Sequence, residues 1–276
     1  MSVDPVLAPE AHRHGDFSTN SRLLLLSAFA LVIGLTSTAG AALLLAGIRF
    51  FTNIFFYGEP SLIERGPAGN HLGVAVVLIP ALGGLIVGLM ARYGSENIRG
   101  HGIPEAIEAI LFGKSRMSPS IAVLKPLSSA IAIGSGGPFG AEGPIIMTGG
   151  AAASLLAQAF HLTAAERKAL LVAGACAGMT AVFGTPLAAV LLAVELLLFE
   201  LRPRSLLPVA LSCAVAAFLR PLWNGPGPLF PLQAEPLSAW AILSCGIAGV
   251  ASGAVSASMT SLLYKVEDLF GRLPLH

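Results

Sequence analysis

The chain has 276 residues, of which 55% are hydrophobic and only 11% charged, and its formal net charge is +1. A soluble domain carries about 25% charged residues, so this composition excludes an ordinary soluble protein and a strongly basic nucleic-acid-binding protein. Five uncharged runs each exceed the roughly 20 residues that span a bilayer core: 23–48, 71–91, 143–165, 169–194 and 238–264. They predict an all-α, polytopic protein, embedded in membrane lipid, with long tilted spans and short broken helices.

The first 21 residues are polar and lack the basic-then-apolar order of a cleaved signal peptide. We predict that 1–21 is a cytoplasmic tail, because Arg13 and Arg22 favour an inside N-terminus, and that 22–276 is the membrane domain. The three cysteines lie in apolar runs without metal-ligand spacing, so we predict no disulfide framework, no metal site and no cofactor.

Two kinds of apolar segment alternate along the chain. Long segments typical of complete spans cover 22–56, 70–93 and 236–266. Shorter segments, or ones interrupted by glycine and proline, cover 103–112, 119–138, 143–159 and 168–200. As a helix the first of these would be about 15 Å long, too short for a hydrocarbon core of about 30 Å. Interrupted helices occur in membranes where they are buried in protein or line a polar cavity, so the pattern predicts a pathway built from half-helices.

Two glycine-rich corners precede short helices. Residues 100–105 read Gly-His-Gly-Ile-Pro-Glu, and residues 134–144 read Gly-Ser-Gly-Gly-Pro-Phe-Gly-Ala-Glu-Gly-Pro. Each corner places a proline and an acid in the first helical turn, where both are favourable. Glu142 is the only charged residue between Lys125 and Glu166, and a carboxylate at membrane depth indicates a functional site. Helix N-termini bind anions, so two corners aimed at one point would form a site for a dehydrated monovalent anion.

On these motifs the chain resembles the CLC family of chloride channels and proton-coupled chloride exchangers. Residues 100–104 are similar to the family's G-S-G-I-P corner, and 140–144 to its G-[KR]-E-G-P corner. The spacing from Lys125 to the second corner, and the stretch 173–195 with its Phe-Gly-Thr-Pro break, are similar as well. The resemblance covers about 20–270 and implies the first inverted repeat of the CLC fold, with chloride as the transported ligand.

The resemblance also implies roles for individual residues. Glu142 would be the gating carboxylate, which occupies an anion site when ionised and leaves it when protonated. Lys125 and Glu195 would have electrostatic or proton-path roles. The anion sites would be lined by Gly100, His101, Gly102, Ile103, Ala141, Glu142 and Gly143.

Three positions depart from the family pattern. His101 stands where the family has a serine, so anion preference or pH response would change, and Ala141 replaces a basic residue. Leu196 stands where many exchangers carry a proton-accepting glutamate, which predicts weak or absent proton coupling. These residues do not decide whether the protein is a channel or an exchanger, or which anion it prefers.

We find no G-x-F-x-P corner of the family's second half, and Tyr264 lies near the end of the last helix of the first half. The chain therefore looks like the N-terminal half of a CLC membrane domain, inactive alone, from a protein of the bacterial inner membrane that is homodimeric at full length.

Other classes of protein share some of these sequence features. One alternative is an unrelated secondary transporter with broken helices, and another is a non-conducting structural fragment. An intramembrane enzyme is disfavoured because Ser135 lacks the flanking glycine of a rhomboid-like motif and no transmembrane histidine is an obvious base. We therefore predict no catalytic residue.

Overall fold

The computed structural model describes residues 21–100, 102–225, 227 and 238–272. Among these residues it has ten α-helices and no strand, which confirms the all-α fold. The first five helices are α1 (Ser21–Tyr57), α2 (Leu78–Tyr93), α3 (Ile103–Leu111), α4 (Pro119–Gly134) and α5 (Glu142–Gln158). The others are α6 (Ala164–Phe183), α7 (Pro186–Leu192), α8 (Pro203–Leu219), α9 (Pro221–Asn224) and α10 (Ala239–Gly271). Most of the tail predicted at 1–21 lies outside the described residues.

Four segments of the described chain are long and apolar enough to cross a membrane: Arg22–Tyr57, Gly73–Tyr93, Pro203–Trp223 and Trp240–Phe270. Helix α1 has 37 residues and is therefore about 55 Å long. Since the hydrocarbon core is about 30 Å thick, α1 crosses it at a tilt or extends beyond it.

The short and broken helices lie where the glycine and proline pattern predicts them. Helix α3 has only nine residues and is about 14 Å long, too short to cross the core. Helix α6 ends at Gly184, whose φ of +68° is left-handed, and α7 begins at Pro186, whose missing N–H costs nothing in the first turn. A π-helical turn, Ala193–Leu198, follows α7.

The core of the unit that ends at Leu229 is built on α5 and α6. Every residue of α6 from Ala169 to Val182 is buried. The two helices cross at Gly149 and Gly174, where a Cβ on either glycine would collide with the backbone of the other helix. This close crossing fixes α5 against α6.

The second unit begins at Phe230, and α10 is its helix. The side chain of Ser238 caps α10 by accepting a hydrogen bond from the Ala241 amide at 3.3 Å. The helix has 33 residues, so it is about 50 Å long and can span a membrane.

Candidate functional site

The first glycine-rich corner is held by a contact between α3 and its own cap. Gly100 and Gly102 have φ values of +90° and +103°, which L residues with a side chain rarely adopt. The Glu105 carboxylate accepts a hydrogen bond from the Gly102 amide at 2.6 Å, so Glu105 caps α3 as its first-turn position indicates. This bond uses the Gly102 amide and leaves the Ile103 amide outside the helical ladder. His101 lies outside the described residues.

The second corner ends at the start of α5. The first hydrogen bond of this helix joins the Ile145 amide to the Ala141 carbonyl at 3.0 Å, and Pro144 has no N–H. The amides of Glu142 and Gly143 therefore remain outside the helical ladder. The Glu142 side chain is exposed and makes no hydrogen bond or ion pair with another described residue.

The N-termini of α3 and α5 touch each other. A Cβ built on Gly102 would lie 2.5 Å from the Gly143 carbonyl oxygen and 2.9 Å from the Gly143 Cα. Beside this contact lies a cavity of about 560 Å³ whose lining includes Gly100, Ile103, Glu142 and Gly143. Two positive helix-dipole ends thus meet at one cavity, the arrangement that binds an anion.

Lys125 binds the backbone of the first corner. It is only 2% exposed, and its Nζ donates to the carbonyl oxygens of Ile98 at 2.8 Å, Arg99 at 3.3 Å and Gly100 at 3.0 Å. All three ammonium protons therefore have a carbonyl acceptor. The side chain does not extend to a membrane surface. Lys125 also lines the cavity, so its positive charge adds to that of the helix ends.

The structure brings together some predicted site residues and not others. Gly102 is buried and Ala141 is the half-buried cap of α5, and neither of them lines the cavity. Glu195 is exposed in the π-helical turn and does not line the cavity that contains Glu142, so its predicted role remains a prediction. Nearby, Glu200 accepts a hydrogen bond from the Ser205 hydroxyl at 2.9 Å and pairs with Arg202.

Sequence reasoning missed the α4 wall of the cavity. Ser128, Ser129, Ala132 and Ile133 line it together with Lys125. They follow Lys125 by three, four, seven and eight residues, which is the spacing of one helix face. That periodicity was the available signal. Phe139, which precedes the second corner, also lines the cavity.

This fold and site define a class of protein. It is a membrane protein of broken helices in which two helix N-termini meet at a cavity that a carboxylate lines. Residues 83–276 match the family model of the voltage-gated chloride channels. The chain therefore belongs to the CLC family. This membership removes the alternative of an unrelated transporter.

Curated relatives include both kinds of CLC protein. The voltage-gated ClC-type chloride channel ClcB of Yersinia pseudotuberculosis is 35% identical over 193 residues, covering 68% of this chain and 45% of the relative. The H(+)/Cl(-) exchange transporter ClcA of Salmonella paratyphi A is 27% identical over 255 residues, covering 87% of this chain and 52% of the relative. The chain thus spans about half the length of these relatives.

A solved structure shows the same fold. The crystal structure of a slow cyanobacterial Cl-/H+ antiporter matches this chain with a TM-score of 0.72 and 20% sequence identity. The match covers 94% of this chain and 60% of the antiporter chain. Family and apolar helices together make the chain a membrane protein, and its bacterial relatives indicate the inner membrane.

Proposed function

We propose that this chain forms one side of a chloride site in a CLC-type transport protein, with Glu142 as its gating carboxylate. The observation that carries the proposal is the contact between Gly102 and Gly143, which joins two helix N-termini at the cavity wall. Free amides and dipole ends there favour an anion, and Lys125 adds a full positive charge. No described acid other than Glu142 lines this cavity.

Glu142 supplies the gate because it is an anion attached to an anion site. When ionised, its carboxylate competes with chloride for the amides and the dipole field at the start of α5. When protonated, it loses that attraction and chloride takes its place. Gating is thus a competition between two anions for one set of donors, which needs no large movement of α5.

Orientation and assembly follow the same proposal. Arg22, Arg167 and Lys168 lie at the end of the unit where α1 and α6 begin, and the Arg22–Glu166 ion pair at 2.9 Å joins these two ends. Clustered basic residues beside spans favour the cytoplasmic side, so we place the N-terminus inside. We further propose a homodimer at full length, with proton coupling weakened by Leu196.

Glu142→Gln is expected to raise the chloride affinity of the purified chain by about three- to thirtyfold, because it removes a competing charge worth up to about 2 kcal/mol at a helix terminus. Isothermal titration calorimetry with sodium chloride, in a chloride-free detergent buffer, measures the change. Glu195→Gln is the matched control, since it removes an exposed carboxylate that does not line the cavity. Equal affinities in both variants and the unmodified chain would exclude the gating role.

The 276 residues alone are expected to transport no chloride across a membrane, because the relatives that they match are about twice as long. Chloride release from vesicles, recorded with a chloride electrode, should equal that of empty vesicles, and the full-length Salmonella relative serves as the positive control. Chloride release above that of empty vesicles would contradict this expectation.

A further inference from the structure

A second, cationic cavity lies between two helix links of the first unit. Its volume is about 400 Å³, and we call it the link pocket. It is lined by Arg116, Gln158, Ala159, Phe160, His161, Leu162 and Arg167. Arg116 belongs to the link between α3 and α4, and 159–163 form the link between α5 and α6. Two arginines and a histidine thus face one space that no described acid lines.

The link that carries Arg116 is held by buried hydrogen bonds from α5. The Ser154 hydroxyl donates to the Ser115 carbonyl at 2.8 Å and accepts from the Met117 amide at 3.0 Å. The Gln158 amide group donates to the Met117 carbonyl at 3.1 Å. The residues on both sides of Arg116 are therefore fixed, so its backbone is positioned before any ligand arrives.

The two arginines differ in their partners. Arg167 is half-buried and donates to the Leu162 carbonyl at 2.6 Å and to the Lys114 carbonyl at 3.4 Å, so its guanidinium is held in place. Arg116 is exposed, and its side chain has no hydrogen bond or ion pair within the described part of the chain. It also borders the neighbouring cavity that is lined by Glu96, Glu105 and Glu108, yet it pairs with none of the three.

Glu166, the acid closest in sequence to the pocket, already has hydrogen-bond partners outside it. Both oxygens of Glu166 bind the Arg22 guanidinium, at 2.9 and 3.2 Å, and one also accepts from the Thr163 amide at 2.8 Å. Glu166 therefore neutralises Arg22 and caps α6, and it makes no direct contact that would neutralise Arg116 or Arg167.

We propose that the link pocket binds a phosphate group, and that the group is the headgroup of an anionic phospholipid. Arginine pairs recognise phosphate through several charge-assisted hydrogen bonds, and the imidazole of His161 adds a further donor. An apolar surface lies at the pocket edge: the ring of Phe160 is 48% exposed and lies 4.7 Å from that of Phe29 on the α1 span. A cationic pocket next to an exposed aromatic at the end of a span fits a lipid headgroup better than a free anion.

Thermal unfolding of the purified chain in detergent tests the proposal. Added phosphatidylglycerol is expected to raise the melting temperature saturably, while phosphatidylcholine at the same concentration should not. Arg116→Gln and His161→Gln should keep the lipid-free melting temperature, but Arg116→Gln should need about tenfold more phosphatidylglycerol for half of the effect, as expected for one lost charged hydrogen bond. Arg92→Gln, an exposed arginine at the end of α2, is the matched control.

Inorganic phosphate is tested in parallel to separate the two sources of the group. Stabilisation by the lipid alone supports a headgroup site, and competition between millimolar phosphate and the lipid supports a phosphate site that also accepts soluble ligands. Equal stabilisation of the unmodified chain and Arg116→Gln by phosphatidylglycerol would overturn the proposal, and so would equal effects of the two lipids.

Discussion

Replacing Gly102 with alanine is expected to destabilise the chain by about 2 to 5 kcal/mol and to abolish chloride binding. At a φ of +103° an alanine is strained, and its methyl group would lie 2.5 Å from the Gly143 carbonyl oxygen. The atoms that it meets are backbone atoms of a buried helix start, so they cannot move aside as a side chain would. Relief of the clash must separate α3 from α5, which opens the proposed anion site.

Gly140→Ala is the matched control for this variant. Gly140 lines the cavity, its φ is not left-handed, and a Cβ there has nothing nearer than 4.0 Å. Thermal unfolding and chloride calorimetry of both variants measure the effect. If Gly102→Ala unfolds and binds chloride like Gly140→Ala, the contact between the two helix N-termini does not matter for the site.

Lys125→Met is expected to cost about 2 to 4 kcal/mol of unfolding free energy, because three carbonyls lose a charged donor and part of that loss is recovered by water from the cavity. The same change should weaken chloride binding, since it removes one of the two cationic side chains, Lys125 and Arg99, that line the cavity. Equilibrium unfolding in denaturant and chloride calorimetry report the two effects separately.

Val123→Met places the same side chain on the same helix, at a position that is 66% exposed, and should change the stability by less than about 0.5 kcal/mol. Lys125→Met with the stability and affinity of this control would show that the ammonium supports neither the corner nor the anion.

The helix boundaries near the site could be predicted because local chemistry determines them. Pro104 and Pro144 suit first turns, Gly100 and Gly102 suit left-handed backbone, and each corner carries an acid in its first turn. These features depend on residues only a few positions apart. The start of α5 at Glu142 and the short length of α3 follow from them directly.

The meeting of the two corners could not be derived from local pattern. Gly102 and Gly143 are far apart in the sequence, and their contact depends on how α4 and α5 pack; only the resemblance to a known family indicated it. The three acceptors of Lys125 lie 25 to 27 residues before it, so spacing could not identify them. Glu105 uses the Gly102 amide, so the free donors of the first corner shift toward Ile103.

Arg220, at the end of α8, is buried against the end of another helix. It is only 7% exposed, and its guanidinium lies against Gly184, where a Cβ would be 3.1 Å from Cζ. The left-handed glycine that ends α6 therefore also makes room for a buried cation. Such a pairing between a helix end and a distant side chain depends on tertiary packing and has no local signal.

Anomalous diffraction from crystals soaked in bromide tests the central claim most directly, because bromide substitutes for chloride and its position is observed. The account predicts a peak in the cavity between the N-termini of α3 and α5, within hydrogen-bonding distance of the Ile103 or Gly143 amide, and a stronger peak in Glu142→Gln than in the unmodified chain. The absence of bromide from this cavity in both proteins, with peaks only elsewhere, would contradict it.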